Sequence, residues 1–123
     1  MLYHKDYNIA ILVLLRALFI ISTKWTNKGY KILQEDGTFK VCIYGALDTA
    51  TRQLYRRPVT ESDLSVKLLT QSSMLMFGRS IVSTNDDLGY ASIIKLFALT
   101  LERAFPHATS DNPDDRRLER NRA

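Results

Sequence analysis

The sequence predicts an α+β fold, mainly α, with about four helices and one β-hairpin inserted after the first helix. Three observations carry this expectation. An apolar run, 9-IAILVLLRALFII-21, heads the chain. Asp36-Gly37 separates two β-capable stretches, and three later segments repeat apolar residues at three- and four-residue intervals. A chain of 123 residues is one domain by size, long enough to bury roughly two thirds of the surface its unfolded form exposes. The globular unit is expected over residues 1–106, with a charged, disordered tail over 107–123.

Asp6 or Asn8 is placed to cap the first helix, which runs to about Thr23 and is apolar at almost every position. A helix of that kind is usually central and covered on several sides. The run is interrupted by Arg16 and falls short of the about 20 apolar residues that span a membrane. A signal peptide would need a basic leader and a small-residue cleavage site, whereas the run ends in Ser22-Thr23-Lys24-Trp25. A buried core helix is expected, with no membrane partner.

Tyr30 to Val41 reads as a hairpin around Glu35-Asp36-Gly37, because glycine accepts the positive φ of a type I′ turn. Phe39, Val41 and Ile43 alternate with Lys40 and Cys42, giving the return strand one apolar face. A lone hairpin is marginal in water, so this one must lie on helices.

The second helix is expected from about Tyr44 to Arg57, with Ala46, Leu47, Ala50 and Leu54 at core spacing and Pro58 beyond its end. Thr60-Glu61-Ser62-Asp63 reads as the amino-terminal cap of a third helix, which carries Leu64, Leu68, Leu69, Leu75 and Met76 and ends at Gly78. Ser83-Thr84-Asn85-Asp86-Asp87 reads as the cap of the last helix, with its acids at the positive end of the helix dipole. That helix runs from about Leu88 to Phe105, burying Ile93, Ile94, Phe97, Leu101 and Ala104 before Pro106.

Several separated pieces fall in a fixed order: W-T-x-x-G-Y (Trp25, Thr26, Gly29, Tyr30), the Asp36-Gly37 turn, C-x-x-G-A-L (Cys42, Gly45, Ala46, Leu47), and Asn85-Asp86 ahead of a closing helix. This order resembles an uncharacterised family, a domain of unknown function, of small bacterial and phage proteins. Lys24 stands where that family usually has glycine. The resemblance implies no reaction, cofactor or catalytic residue. It does imply a phage or prophage accessory gene, of the kind that often blunts host defences.

The net charge is +4. In the tail, Asp111, Asp114, Asp115 and Glu119 cancel Arg116, Arg117, Arg120 and Arg122, so the excess lies in residues 1–106. The basic residues there are scattered, and no stable nucleic-acid complex is expected. One cysteine excludes an internal disulfide and suits a reducing, cytoplasmic compartment, and together with His4 and His107 it cannot build a Cys/His zinc site. No metal or cofactor is expected.

A nucleophilic Cys42 would need a base, and neither histidine is near it in sequence; a small packed residue is the better account. Asn85 and Asp86 fit a capping role better than catalytic or metal-binding chemistry. Trp25 and Tyr30 flank Lys24 and Lys28, a combination that can stack on a base and hold a phosphate. Trp25 can equally anchor the hairpin with its N–H bonded to a carbonyl, and that reading takes precedence. Arg52 and Arg56, with Arg57, form a second basic cluster at a helix carboxyl end, suited to an anion or to the helix dipole. Met74, Leu75, Met76 and Phe77 have more apolar width than one core face needs, which suggests a homo-oligomer contact.

Together these features point to a non-enzymatic binding protein of phage or mobile-element origin. It would sequester an anionic, nucleotide-like ligand through Lys24, Trp25, Lys28, Tyr30, Arg52, Arg56, Asn85 and Asp86. The alternatives are an inhibitor or adaptor of a host protein, acting through the hairpin or the Met-rich helix, and a small enzyme using Asp86 or Cys42.

Overall fold

A computed structural model describes residues 4–26, 31–33, 35 and 39–108. It contains α1 (His4–Lys24), β1 (Lys31–Leu33), β2 (Phe39–Val41), α2 (Ile43–Tyr55), α3 (Leu64–Phe77), α4 (Ile81–Asp87), α5 (Tyr90–Ala104) and a closing 3-10 turn, Phe105–His107. α1 lies against α2, α3 and α5, and α3 also packs on α5. The core is the volume these helices share. Leu14, Ala17 and Ile21 of α1 meet Ile43, Ala46, Leu47 and Ala50 of α2, Leu69 of α3, and Ile93, Leu96 and Phe97 of α5, all essentially sealed from solvent. Burying each large apolar side chain contributes about 1.5–3 kcal/mol.

The architecture is all-α, and the expectation of an α+β domain with an inserted hairpin is corrected. β1 and β2 pair antiparallel over three residues each, Lys31 opposite Val41, as a short ribbon between α1 and α2. Among the described residues no further strand joins this ribbon to make a sheet layer. The alternation that suggested a longer strand ran across an element boundary: Ile43, read as the third inward residue of a strand, is the first residue of α2. Thr26 N–H donates to the Val41 carbonyl at 2.9 Å, tying the exit of α1 to β2. Asp36 and Gly37 lie outside the described residues.

A second correction concerns the number of helices. The segment expected only to cap the last helix contains a helix of its own, α4. Ser80 is its N-cap, and its hydroxyl accepts from the Ser83 amide. Local propensity argues against a helix in Ser83-Thr84-Asn85-Asp86-Asp87, since such side chains compete for backbone hydrogen bonds. Tertiary contacts override it. Ile81 is buried in the core, and the Thr84 hydroxyl meets the Ser73 hydroxyl of α3 at 2.7 Å in a sealed pair. The Ser73 hydroxyl also bonds the Arg79 carbonyl, fixing the α3–α4 corner. Gly89, at φ 84°, then turns the chain into α5.

At the end of the described chain, the His107 ring stacks on Tyr7 of α1 at 4.7 Å, and His4 bonds the Ala108 carbonyl. Both ends of the described chain therefore meet beside α1. Residues 109–123, most of the expected tail, lie outside the described residues.

Arg56 closes α2 in the left-handed conformation, φ 57° and ψ 35°, with its N–H bonded to the Arg52 carbonyl. A side chain held there costs about 1–2 kcal/mol, which glycine avoids. Arg56→Gly is therefore expected to raise the urea midpoint with no change of slope, a gain of about 1 kcal/mol. A lower midpoint would mean that the arginine side chain stabilises the joint by more than its backbone costs.

Candidate functional site

Trp25, Cys42, Gly45 and Asn85-Asp86, from three of the motifs, meet at the amino end of α2. The centre of this cluster is Asn85 of α4, 2% exposed. Its Oδ1 accepts from the Trp25 indole N–H at 3.0 Å and from the Ile43 backbone N–H at 3.1 Å. Two N–H donors fix the oxygen end of the carboxamide, and Nδ2 donates to Asp86 Oδ1 at 3.2 Å. The first amides of any helix lack partners within it. Here Asn85 supplies an acceptor to Ile43 from a distant helix, while the Cys42 Sγ accepts from Gly45 N–H at 3.4 Å. Cys42 is thus the N-cap of α2.

Trp25 is half-buried, packed against the core, with the Tyr90 ring of α5 tilted beside it at 5.9 Å. Its indole serves as an anchor whose polar edge is occupied. Lys24, the last residue of α1, is exposed next to it. Asp86 is exposed near the carboxyl end of α4, where it does not complement the dipole as expected for the amino end of the last helix.

Of the expected ligand residues, the structure brings Trp25, Asn85 and Asp86 together, with Lys24 adjoining. Arg52 and Arg56 are exposed and stand apart from them, since Arg52 is nine residues beyond Ile43, about 14 Å of helix rise. Arg52 pairs with Asp48 one turn earlier at 2.8 Å. Lys28 and Tyr30 lie outside the described residues. Met74 and Met76 are exposed, as is Leu75 between them, while Phe77 packs against the core.

A second feature was missed in the sequence. Arg57, just past α2, grips Asp63 through two hydrogen bonds of 2.9 Å, and Asp63 also accepts from the Thr60 amide. Burial pushes the Asp63 carboxyl up, but the Arg57 hydrogen bonds, the Thr60 amide and the Arg57 charge outweigh it and hold the group below its ordinary value. Beside this pair lies a cavity of about 250 Å³, walled by α1, the end of α2 and the start of α3. The only sequence signal was Thr60-Glu61-Ser62-Asp63, whose residue types read equally well as a helix cap. Among the described residues, no three His, Cys, Asp or Glu side chains gather as a metal site.

Asn85→Leu keeps the size of the side chain but leaves the Trp25 and Ile43 N–H groups without their acceptor, at about 1–3 kcal/mol each. A clearly lowered melting temperature is expected, with Trp25 fluorescence shifted by its changed environment. Melting and emission identical to wild type would show these two bonds to be dispensable.

Comparison with protein-family models, with curated proteins and with solved structures finds no match to this chain.

Proposed function

We propose that this protein is a non-enzymatic binding protein that acts on a partner protein, as an inhibitor or adaptor, through the outward side of α1. The observation that carries this reading is a stripe of Leu12, Leu15 and Phe19, exposed by 51%, 42% and 60%. Single exposed apolar residues are ordinary, but three at i, i+3 and i+7 form one continuous helix face. The Arg16 guanidinium lies 5.3 Å from the centre of the Phe19 ring and donates to Gln53 of α2, so one cation is held beside the stripe. Lys5 and Lys24 are exposed toward its two ends. The fitting partner offers an apolar groove with an acidic rim. The motif resemblance extends the proposal to a phage or mobile-element origin, with a host cytoplasmic protein as the target.

By length and composition alone α1 could cross a membrane, with 39% of its most apolar window buried inside the protein. The test therefore needs a lipid arm. A partner retained by the wild-type chain is expected to be lost by the double variant Leu12→Glu, Phe19→Glu and kept by Met76→Glu, with all variants folded. Retention of the partner by the double variant sinks the proposal. So does binding of the wild type to anionic vesicles that the same two substitutions abolish.

A second reading, capture of an anionic nucleotide-like ligand, is favoured by Arg56. An arginine occupies a left-handed position where glycine is at ease, as expected if its side chain is retained for a task. Nucleotide at about 100 times its dissociation constant should then add about 2.7 kcal/mol of stability to the wild type and none to Arg56→Gly. No stabilisation by mono- or cyclic nucleotides removes this reading.

A further inference from the structure

α2 and α3 both pack on α1 and scarcely on each other, which leaves a groove between the first turn of α2 and one side of α3. The groove is a cavity of about 430 Å³, lined by Tyr44, Glu61, Val66, Lys67, Thr70 and Gln71. That volume falls within the range of about 300–1,000 Å³ usual for small-molecule sites. Its polar side chains are not consumed by the fold. Elsewhere on these helices the arginines are engaged, Arg52 with Asp48, Arg57 with Asp63 and Arg79 with Asp87. Glu61 and Lys67 border one cavity with opposite charges, yet neither forms an ion pair among the described residues. The Gln71 carboxamide likewise makes no hydrogen bond among them.

The chemistry of the lining narrows the class of occupant. One carboxylate and one ammonium cancel, so the groove favours neither a simple anion nor a simple cation. Glu61 accepts, Lys67 donates, and Gln71 does both. The Thr70 hydroxyl donates to the Val66 carbonyl, which leaves its oxygen able to accept. Burial, with the Glu61 charge added, pushes the Tyr44 phenol up, so it stays a neutral O–H. A small zwitterion would engage Glu61 and Lys67 and leave Tyr44, Thr70 and Gln71 to water. A neutral ligand dense in hydroxyls can use all five, because each hydroxyl both donates and accepts. The half-buried Tyr44 ring and the buried Val66 side chain supply apolar surface for the C–H side of such a ligand.

We propose that this groove binds a neutral hexose. Adjacent sugar hydroxyls meet the planar Glu61 carboxylate and Gln71 carboxamide, Lys67 donates to a further oxygen, and the C–H face lies on Tyr44 and Val66. The site is separate from the α1 stripe and does not depend on a protein partner there.

NMR titration of the isotope-labelled full chain tests this with glucose, galactose and mannose, and with tetrahydropyran-2-methanol, which keeps the ring but lacks its hydroxyls. At least one hexose is expected to bind with a dissociation constant of about 1 mM, moving the Tyr44, Val66, Lys67 and Gln71 resonances together. The hydroxyl-poor ring should leave them in place. Glu61→Ala and Gln71→Ala replace exposed side chains, so the ligand-free melting temperature should not fall. Glu61→Ala should weaken the bound hexose about tenfold, the worth of one hydrogen bond to a charged group. Tyr44→Phe, which keeps the ring and removes the hydroxyl, should weaken it less. The proposal is overturned if none of the three hexoses moves these resonances up to about 100 mM. It is equally overturned if tetrahydropyran-2-methanol matches the best hexose, or if Glu61→Ala binds that hexose like the wild type.

Discussion

Asn85 ties together three parts of the chain that lie far apart in sequence. Its carboxamide oxygen takes the indole N–H of the residue leaving α1 and the first amide of α2, while its backbone belongs to α4. A buried carboxamide without partners would cost several kcal/mol, so the arrangement is all or nothing. With both donors present, α1, α2 and α4 are fixed in one register, and the core between them closes over Ile43, Leu47 and Ile21. The sealed Ser73–Thr84 hydroxyl pair fixes α4 to α3 at the residue before Asn85, so a helix of only seven residues is secured on both sides. A short segment of low helical propensity is helical because its neighbours require it to be.

α1 has two different faces. Ala17 lies in the core beside Ala46 and Ala50 of α2, and these small residues let the two backbones approach closely. Leu12, Leu15 and Phe19 on the other side have no covering element among the described residues, and Arg16 is drawn across them by Gln53 and the Phe19 ring. The apolar surplus of this helix is more than the core uses, and the surplus faces outward as an exposed stripe.

The α2–α3 joint makes a comparable choice. Asp63 could cap α3, but its carboxylate is taken by Arg57 and by the Thr60 amide. The pair is partly exposed, so its own contribution to stability is modest. Its larger consequence is structural, because a helix end without a side-chain cap borders the cavity that Arg57, Asp63 and Ser65 help to line. Arg56, one residue earlier, holds the left-handed turn that brings Arg57 to this position.

Periodicity and chain stops located α1, α2, α3 and α5 because those signals are local: apolar spacing, Pro58, Gly78 and Pro106 act within a few residues of where they stand, whereas the expected caps Asp6 or Asn8 and Ser83 to Asp87 fall inside α1 and α4. The family-like order of Trp25, Cys42, Gly45 and Asn85-Asp86 was visible too, and three of those pieces do converge. What the letters could not carry were partnerships across 42 and 60 residues, from Asn85 to Ile43 and to Trp25. Residue type permits a hydrogen bond but does not name its partner. The same limit explains the α4 error and the unread cavity, since Ser, Thr, Asn and Asp look alike whether they cap a helix, bridge two helices or line a site. For α1, composition established that the helix is apolar. Only packing decided which of its faces is core and which is surface, because burial belongs to the neighbours a helix finds and not to the helix alone.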